Sequence, residues 1–378
     1  MHTDPVPPLA PPEAPAVKAI AFYLPQFHPT EENDRNWGKG FTEWTNVTRA
    51  KPLYQGHHQP QLPADLGFYD LRVPEVMDEQ AALAQRHGLH GFCYYHYWFS
   101  GRKLLHMPIE RMLASGKPGV PYCLCWANEN WTRRWDGRES ELLFEQRYSE
   151  EDDLEHIRYL LPFLHDPRYI RVAGKPLLLM YRTEHHPGIA RAAEIWRREA
   201  MRSGLPGLYL ARVENFTPFL DPAAHGFDAG VEFAPVDLVR QAATPRNPLP
   251  LRFRKLLRSL GVPLRPERRY SIRSMRESVE QAMRCAPAAY TRFRCVAPSW
   301  DNTARRGDRA TIYSDASPEL FETWTRAAAS FTRRHLPAEA PLLFVNAWNE
   351  WAEGCHLEPC QRWGHSWLES MQRGLAET

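Results

Sequence analysis

Apolar residues along this chain gather in short runs rich in β-branched and aromatic side chains, most of them followed by a stretch of helical period. Eight runs stand out, over 20–27, 89–97, 121–126, 176–181, 207–213, 229–233, 294–299 and 342–348. Helices are predicted between them over 74–87, 149–164, 188–203, 274–285 and 318–335. Strand-then-helix alternation implies a parallel sheet, and eight such units predict an α/β fold in which 17–378 form a single (β/α)8 barrel with long loops after the strands. An open doubly wound sheet would need a glycine-rich phosphate turn after its first strand, and that turn here reads Pro25-Gln26-Phe27-His28-Pro29. Residues 1–16, rich in Pro and Ala, are predicted to be a disordered lead-in.

Composition adds bounds. At 378 residues and 43% hydrophobic content the chain can bury a large core. With 47 basic and 45 acidic residues the net charge is +2, which gives no global field for nucleic acid. The start lacks the cationic and apolar segments of a secretory signal, and no run reaches the roughly 18 apolar residues of a membrane span, so a cytoplasmic protein is expected. The seven cysteines are expected to be small buried hydrophobes, and Cys123 and Cys125 lack zinc-ligand spacing. Charge is uneven in one place: 240–285 hold twelve basic against three acidic residues, in an insertion between the sixth and seventh strands that runs to about 290. Within it, 251–260 is a basic amphipathic segment suited to an anionic membrane face or a lipid-linked glycan; a solvated helix capping the barrel is the plainer reading.

Chemistry in a parallel barrel gathers where the strands end. There the sequence places Gln26 and His28, then His96-Tyr97-Trp98, Trp126-Ala127-Asn128-Glu129-Asn130-Trp131, Arg182, Glu214-Asn215, Glu232, Trp300-Asp301-Asn302 and Asn349-Glu350-Trp351-Ala352-Glu353. Aromatic faces stack on the C–H faces of sugar rings while amides, imidazoles and carboxylates bond the hydroxyls, so such a mouth suits a carbohydrate. Glu350 and Glu353 are the sharpest feature. If the chain turns helical after the last strand, positions three apart share a face, and two neighbouring carboxyl groups are what glycoside cleavage requires. The pairs His57-His58 and His185-His186 read as surface loop, because adjacent side chains diverge and make poor joint metal ligands. No serine-hydrolase elbow, P-loop or zincin motif occurs.

Together, Tyr23-Leu24-Pro25-Gln26-Phe27-His28, the run from Trp37 to Val47, Gly91 to Trp98, Trp126 to Trp131 and Trp348-Asn349-Glu350-Trp351 resemble the WbsX family, which is related to the endo-α-mannosidases of glycoside hydrolase family 99. The resemblance implies a (β/α)8 barrel, no metal or organic cofactor, and a gene neighbourhood devoted to bacterial O-antigen, capsule or other surface polysaccharide, where the family carries a glycosyltransferase label. It also implies that Glu350 is the general base and Glu353 the general acid. The base removes the proton of the sugar's own 2-hydroxyl, which attacks C1 to give a 1,2-anhydro sugar. Trp351-Ala352 stands where relatives often have Trp-His.

The expectation is therefore a retaining, metal-independent glycoside hydrolase, or a transglycosylase, acting on an α-manno- or α-rhamno-configured oligo- or polysaccharide. Glu350 and Glu353 are the catalytic candidates. Trp44, Trp98, Trp126 and Trp300 are expected to stack on sugar rings; His28, His96, Asn128, Glu214, Asn215, Glu232 and Asn349 to orient hydroxyls; Asn46 and Trp351 complete the substrate-binding set. A glycosyltransferase and a non-catalytic carbohydrate-binding protein are the alternatives.

Overall fold

The computed structural model describes residues 16–133, 138–235 and 270–376. Nearly all of the expected lead-in and the basic segment 251–260 lie outside the described residues.

Eight strands form the barrel: β1 (Lys18–Tyr23), β2 (Leu89–Phe99), β3 (Tyr122–Trp126), β4 (Lys175–Met180), β5 (Tyr209–Glu214), β6 (Ala229–Glu232), β7 (Arg292–Val296) and β8 (Leu342–Val345). Each pairs in parallel with the next, and Ala21 of β1 pairs with both Phe92 of β2 and Val345 of β8, which closes the ring. Closure removes the sheet edges, and both faces of every strand are covered, so the strands read as continuous apolar runs rather than alternating ones. The expected strands are all present, within a few residues at their ends.

The helical layer comprises α1 (Pro74–Arg86), α2 (Met107–Ser115), α3 (Glu150–His165), α4 (Ile189–Arg202), α5 (Met275–Arg284), α6 (Pro318–His335) and α7 (Ser366–Leu375). Their starts are written locally: Ser149, Ser274 and Ser317 accept from the backbone N–H three residues on, and Pro occupies the first turn of α1 and α6. The connection from β5 to β6 carries only a 3-10 turn, Pro222–His225. All seven cysteines are unpaired, and six are buried.

The loops that shape the mouth differ in kind. The β1 loop includes the short helices Glu31–Trp37 and Glu43–Arg49, and the β3 loop forms a hairpin of Trp131–Arg133 with Arg138–Phe144. After β7 come the helical turn Thr303–Arg306 and a strand, Thr311–Ser314, that pairs in parallel with Ser271–Ser274.

The expected helical start after β8 takes another form. Asn349–Glu350 pairs antiparallel with Cys355–His356, and Trp351–Glu353 is a single 3-10 turn closed by Gly354 at φ 57°. With three residues per turn, Glu350 and Glu353 still project on one side.

Candidate active site

Glu350 and Glu353 line a cleft of about 430 Å³ at the carboxyl ends of the strands. Glu350 is 5% exposed and Glu353 retains about a fifth of its side-chain exposure (21%). Arg305, on the turn after β7, holds both: Nη2 lies 2.8 Å from Glu350 Oε2 and Nη1 lies 2.8 Å from Glu353 Oε1. Its Nε donates to Glu43 Oε1 at 2.7 Å, so three carboxylates from two loops, those after β1 and β8, surround one mostly buried guanidinium.

One cation cannot neutralise three carboxylates out of water, and this raises proton affinity. Burial pushes the Glu350 carboxyl up to about 8; Arg305 opposes the rise, and Glu353 and Glu43 add to it. Burial also raises Glu353, again against Arg305. Burial thus favours the protonated form of both carboxyls, against the pull of Arg305.

The walls are aromatic and hydroxyl-bearing. Tyr95 and Tyr97 of β2 and Tyr181 after β4 line the cleft, and burial keeps their phenols protonated far into the alkaline range. Asn215 donates to the Tyr181 hydroxyl. Trp37, Trp131, Trp300, Phe216 and Tyr313 supply ring faces, and Glu129, which forms an ion pair with Arg182 at 2.6 Å, lies on the β3 side. Gln26 Nε2 and Asn215 Oδ1 are buried lining atoms without a hydrogen-bond partner among the described residues. Also among the described residues, no group of three or more His, Cys, Asp or Glu side chains is disposed to hold a metal ion.

Of the residues expected at the site, the structure brings Glu350, Glu353, Asn215 and Trp300 to the cleft. The others lie outside its lining, most of them with their polar atoms bound to protein. His96 Nε2 meets His156 Nε2 at 2.8 Å, and Trp98 donates to Asp152 at 2.9 Å; both residues face α3. Trp126 donates to the Trp98 carbonyl and packs edge-on against His156 and Trp196. Asn128 ties the β3 and β4 loops by bonds to both backbone groups of Arg182.

Glu214 and Glu232 are fully engaged under the barrel wall, where Arg292 binds both and Arg294 binds Glu232 at 2.6 Å. Asn349 clamps both backbone groups of Leu24, and Trp351 donates to the buried Glu358 at 2.6 Å. Trp44 donates to the Tyr69 carbonyl and packs on Trp351. His28 is buried, its imidazole held down to about 4 by burial, and Asn46 is half-buried on the Glu43–Arg49 helix.

The surface-loop reading of the histidine pairs needs correction. His58 and His185 are exposed, whereas His57 and His186 are buried and bonded to Asp301 at 2.7 Å and Asp153 at 3.0 Å. Divergence of adjacent side chains sends one of each pair inward.

Sequence reasoning did not single out Arg305, Glu43, Tyr95, Tyr97 or Tyr181. Glu43, Tyr95 and Tyr97 stand inside quoted motifs, and strict alternation along β2 separates Tyr95 and Tyr97 from His96 and Trp98. Arg305 carries no local signal, since it reads as part of an exposed charge run.

These features define a (β/α)8 barrel with an acidic pair at its mouth. The family model described as Glycosyltransferase WbsX matches residues 19–371, and the chain belongs to that family. It is 43% identical over 367 residues to the uncharacterized protein WxcX of Xanthomonas campestris pv. campestris, covering 97% of this chain and 51% of that protein. WxcX of strain B100 is also 43% identical, over 364 residues, covering 96% and 50%. The chain thus spans about half the length of these curated relatives.

Among solved structures, the GH99 endo-alpha-mannosidase of Bacteroides thetaiotaomicron in complex with bis-tris-propane superposes with a TM-score of 0.57 at 14% identity, over 94% of this chain and 96% of that one. A glycoside hydrolase-like protein gives 0.56 at 14% identity, over 99% and 98%. At that identity the likeness is one of fold.

Proposed function

We propose that this chain is a retaining, metal-independent glycoside hydrolase, or a transglycosylase built on the same chemistry, acting on α-manno- or α-rhamno-configured bacterial surface polysaccharide. The observation that carries the reading is the placement of Glu350 and Glu353 on one turn of the cleft, both bound to Arg305. The surrounding rings and the unpartnered lining atoms of Gln26 and Asn215 suit a polyhydroxylated ligand.

In the first half-reaction Glu350 accepts the proton of the 2-hydroxyl as that oxygen attacks C1. The bond from C1 to the leaving oxygen breaks, and Glu353 gives its proton to that oxygen. In the second half, Glu353 takes a proton from water as the water oxygen attacks C1, the C1–O2 bond of the anhydro sugar breaks, and Glu350 returns its proton to O2. Two displacements retain configuration, and both carboxyls end as they began. Glu353 is assigned the acid because it is the more accessible to a leaving group; Arg305 contacts both carboxyls equally, and these roles require Glu353 protonated and Glu350 ionised when substrate is bound.

The family's description favours a second reading, transfer of a sugar from an activated donor. One experiment separates the two. Wild type, Glu350→Gln and Glu353→Gln are incubated with the producing strain's lipopolysaccharide glycan, and product masses and anomeric configuration are followed. Retained-configuration fragments from wild type alone support the hydrolase. Products that form only when a nucleotide sugar is added would overturn it.

A further inference from the structure

Asp301, just after β7, does not line the cleft, yet it is bound to both sides of its acidic floor. Its Oδ1 accepts from the Thr303 backbone N–H at 3.0 Å and from the Thr303 hydroxyl, which starts the helical turn Thr303–Arg306 that delivers Arg305. Its own backbone N–H donates to the Glu353 carbonyl at 2.7 Å. Contact on that side is close: a Cβ on Gly354 would lie 2.9 Å from the Asp301 carbonyl oxygen.

The carboxylate's orientation is fixed from a third element. Its Oδ2 accepts from His57 Nε2 and from Gln59 Nε2, each at 2.7 Å. His57 Nδ1 accepts from the Leu53 backbone N–H at 3.0 Å, so its ring proton resides on Nε2 and points at Asp301. Four donors thus meet the four acceptor sites of one carboxylate that is 8% exposed. These hydrogen bonds hold Asp301 below the usual carboxylate range, although burial works the other way.

We infer that Asp301 is a positioning residue: its side chain sets the turn that carries Arg305, its backbone sets the loop that carries Glu353, and His57 and Gln59 orient it. The inference rests on the proposed roles of Glu350 and Glu353 for its consequence in catalysis, but not for its geometry. Asp301→Asn keeps the volume and puts an amide donor against either Thr303 or the His57 and Gln59 donors. A tautomer change in His57 cannot relieve this, because Leu53 already donates to Nδ1.

The test is a carbon-13 NMR titration of glutamate side-chain carboxyls in the full chain, with Glu350 and Glu353 assigned through their Gln variants. In Asp301→Asn the loosened Arg305 stabilises the ionised pair less, and its midpoints are expected to rise by about half a pH unit or more. If wild type cleaves glycan, kcat is expected to fall on the order of 100-fold with KM little changed. Should Asp301→Asn fail to fold, Gln59→Leu removes one donor and is expected to give a smaller rise in the same direction. Titration curves identical to wild type in a folded variant would overturn the inference. An inert wild type with shifted midpoints would uphold it while removing the hydrolase reading.

Discussion

Arg305 and Glu350, 45 positions apart in the chain, meet at 2.8 Å between Nη2 and Oε2 at the floor of the cleft. The same guanidinium also holds Glu353 and Glu43. Arg305→Met leaves three carboxylates clustered without a cation and is expected to cost about 3–5 kcal/mol of stability near pH 8. Denaturant melts should show a smaller loss near pH 5, where Glu350, held up to about 8 by burial, carries its proton. Equal losses at both pH values would contradict the ion-pair account.

Removal of the pair's chemistry has a separate signature. Glu350→Gln and Glu353→Gln are each expected to slow glycan cleavage by about 10²- to 10⁴-fold. An aryl glycoside whose leaving group needs no proton should restore much of the first step to Glu353→Gln and none to Glu350→Gln. Rescue of the opposite variant would reverse the two roles.

Stability should fall as pH rises from about 6.5 to about 8. Burial holds Glu350 up to about 8 and Glu358 up to about 7, so the folded protein keeps protons that the unfolded chain, titrating near 4.5, has released. Their contribution is complete at low pH and is lost as pH rises through these values. Buried His28, His96 and His356, lowered by burial to about 4, 3 and 4, act in the opposite sense, but below about 6.5. Thermal melts of wild type should therefore decline between about pH 6.5 and 8 and level off above, and Glu350→Gln should flatten that decline.

Binding and stability should separate between two aromatic residues. Phe216 lines the cleft and is 43% exposed, so Phe216→Ala is expected to weaken glycan binding by about tenfold, or 1.4 kcal/mol, at little cost in stability. Trp98 is buried against α3, and Trp98→Phe strands Asp152 at a cost of about 1–3 kcal/mol while leaving affinity unchanged. Calorimetric titration beside a melt decides both.

Gly354 closes the turn that carries Glu353. At φ 57°, and with a Cβ due to lie within 3.0 Å of Asp301, Gly354→Ala is expected to destabilise by at least about 1 kcal/mol and to reduce turnover. A variant as stable and active as wild type would show that the turn tolerates displacement.

The sequence by itself determined the barrel, because strands covered on both faces must be apolar throughout and the helices between them carry their own caps and period. It also determined the acidic pair, since a separation of three holds in either kind of helical turn. It could not determine which residues of the strand ends face the cleft. In a strand buried on both sides, alternation gives two sets and no sign of which is inner; His96 and Trp98 went outward to α3, and Tyr95 and Tyr97 inward. Nor could it supply Arg305, whose partner Glu43 is 262 positions away and whose neighbours read as surface charge. Closure of the barrel brings the first and seventh loops beside the eighth, and only that closure turns separate side chains into one charge cluster.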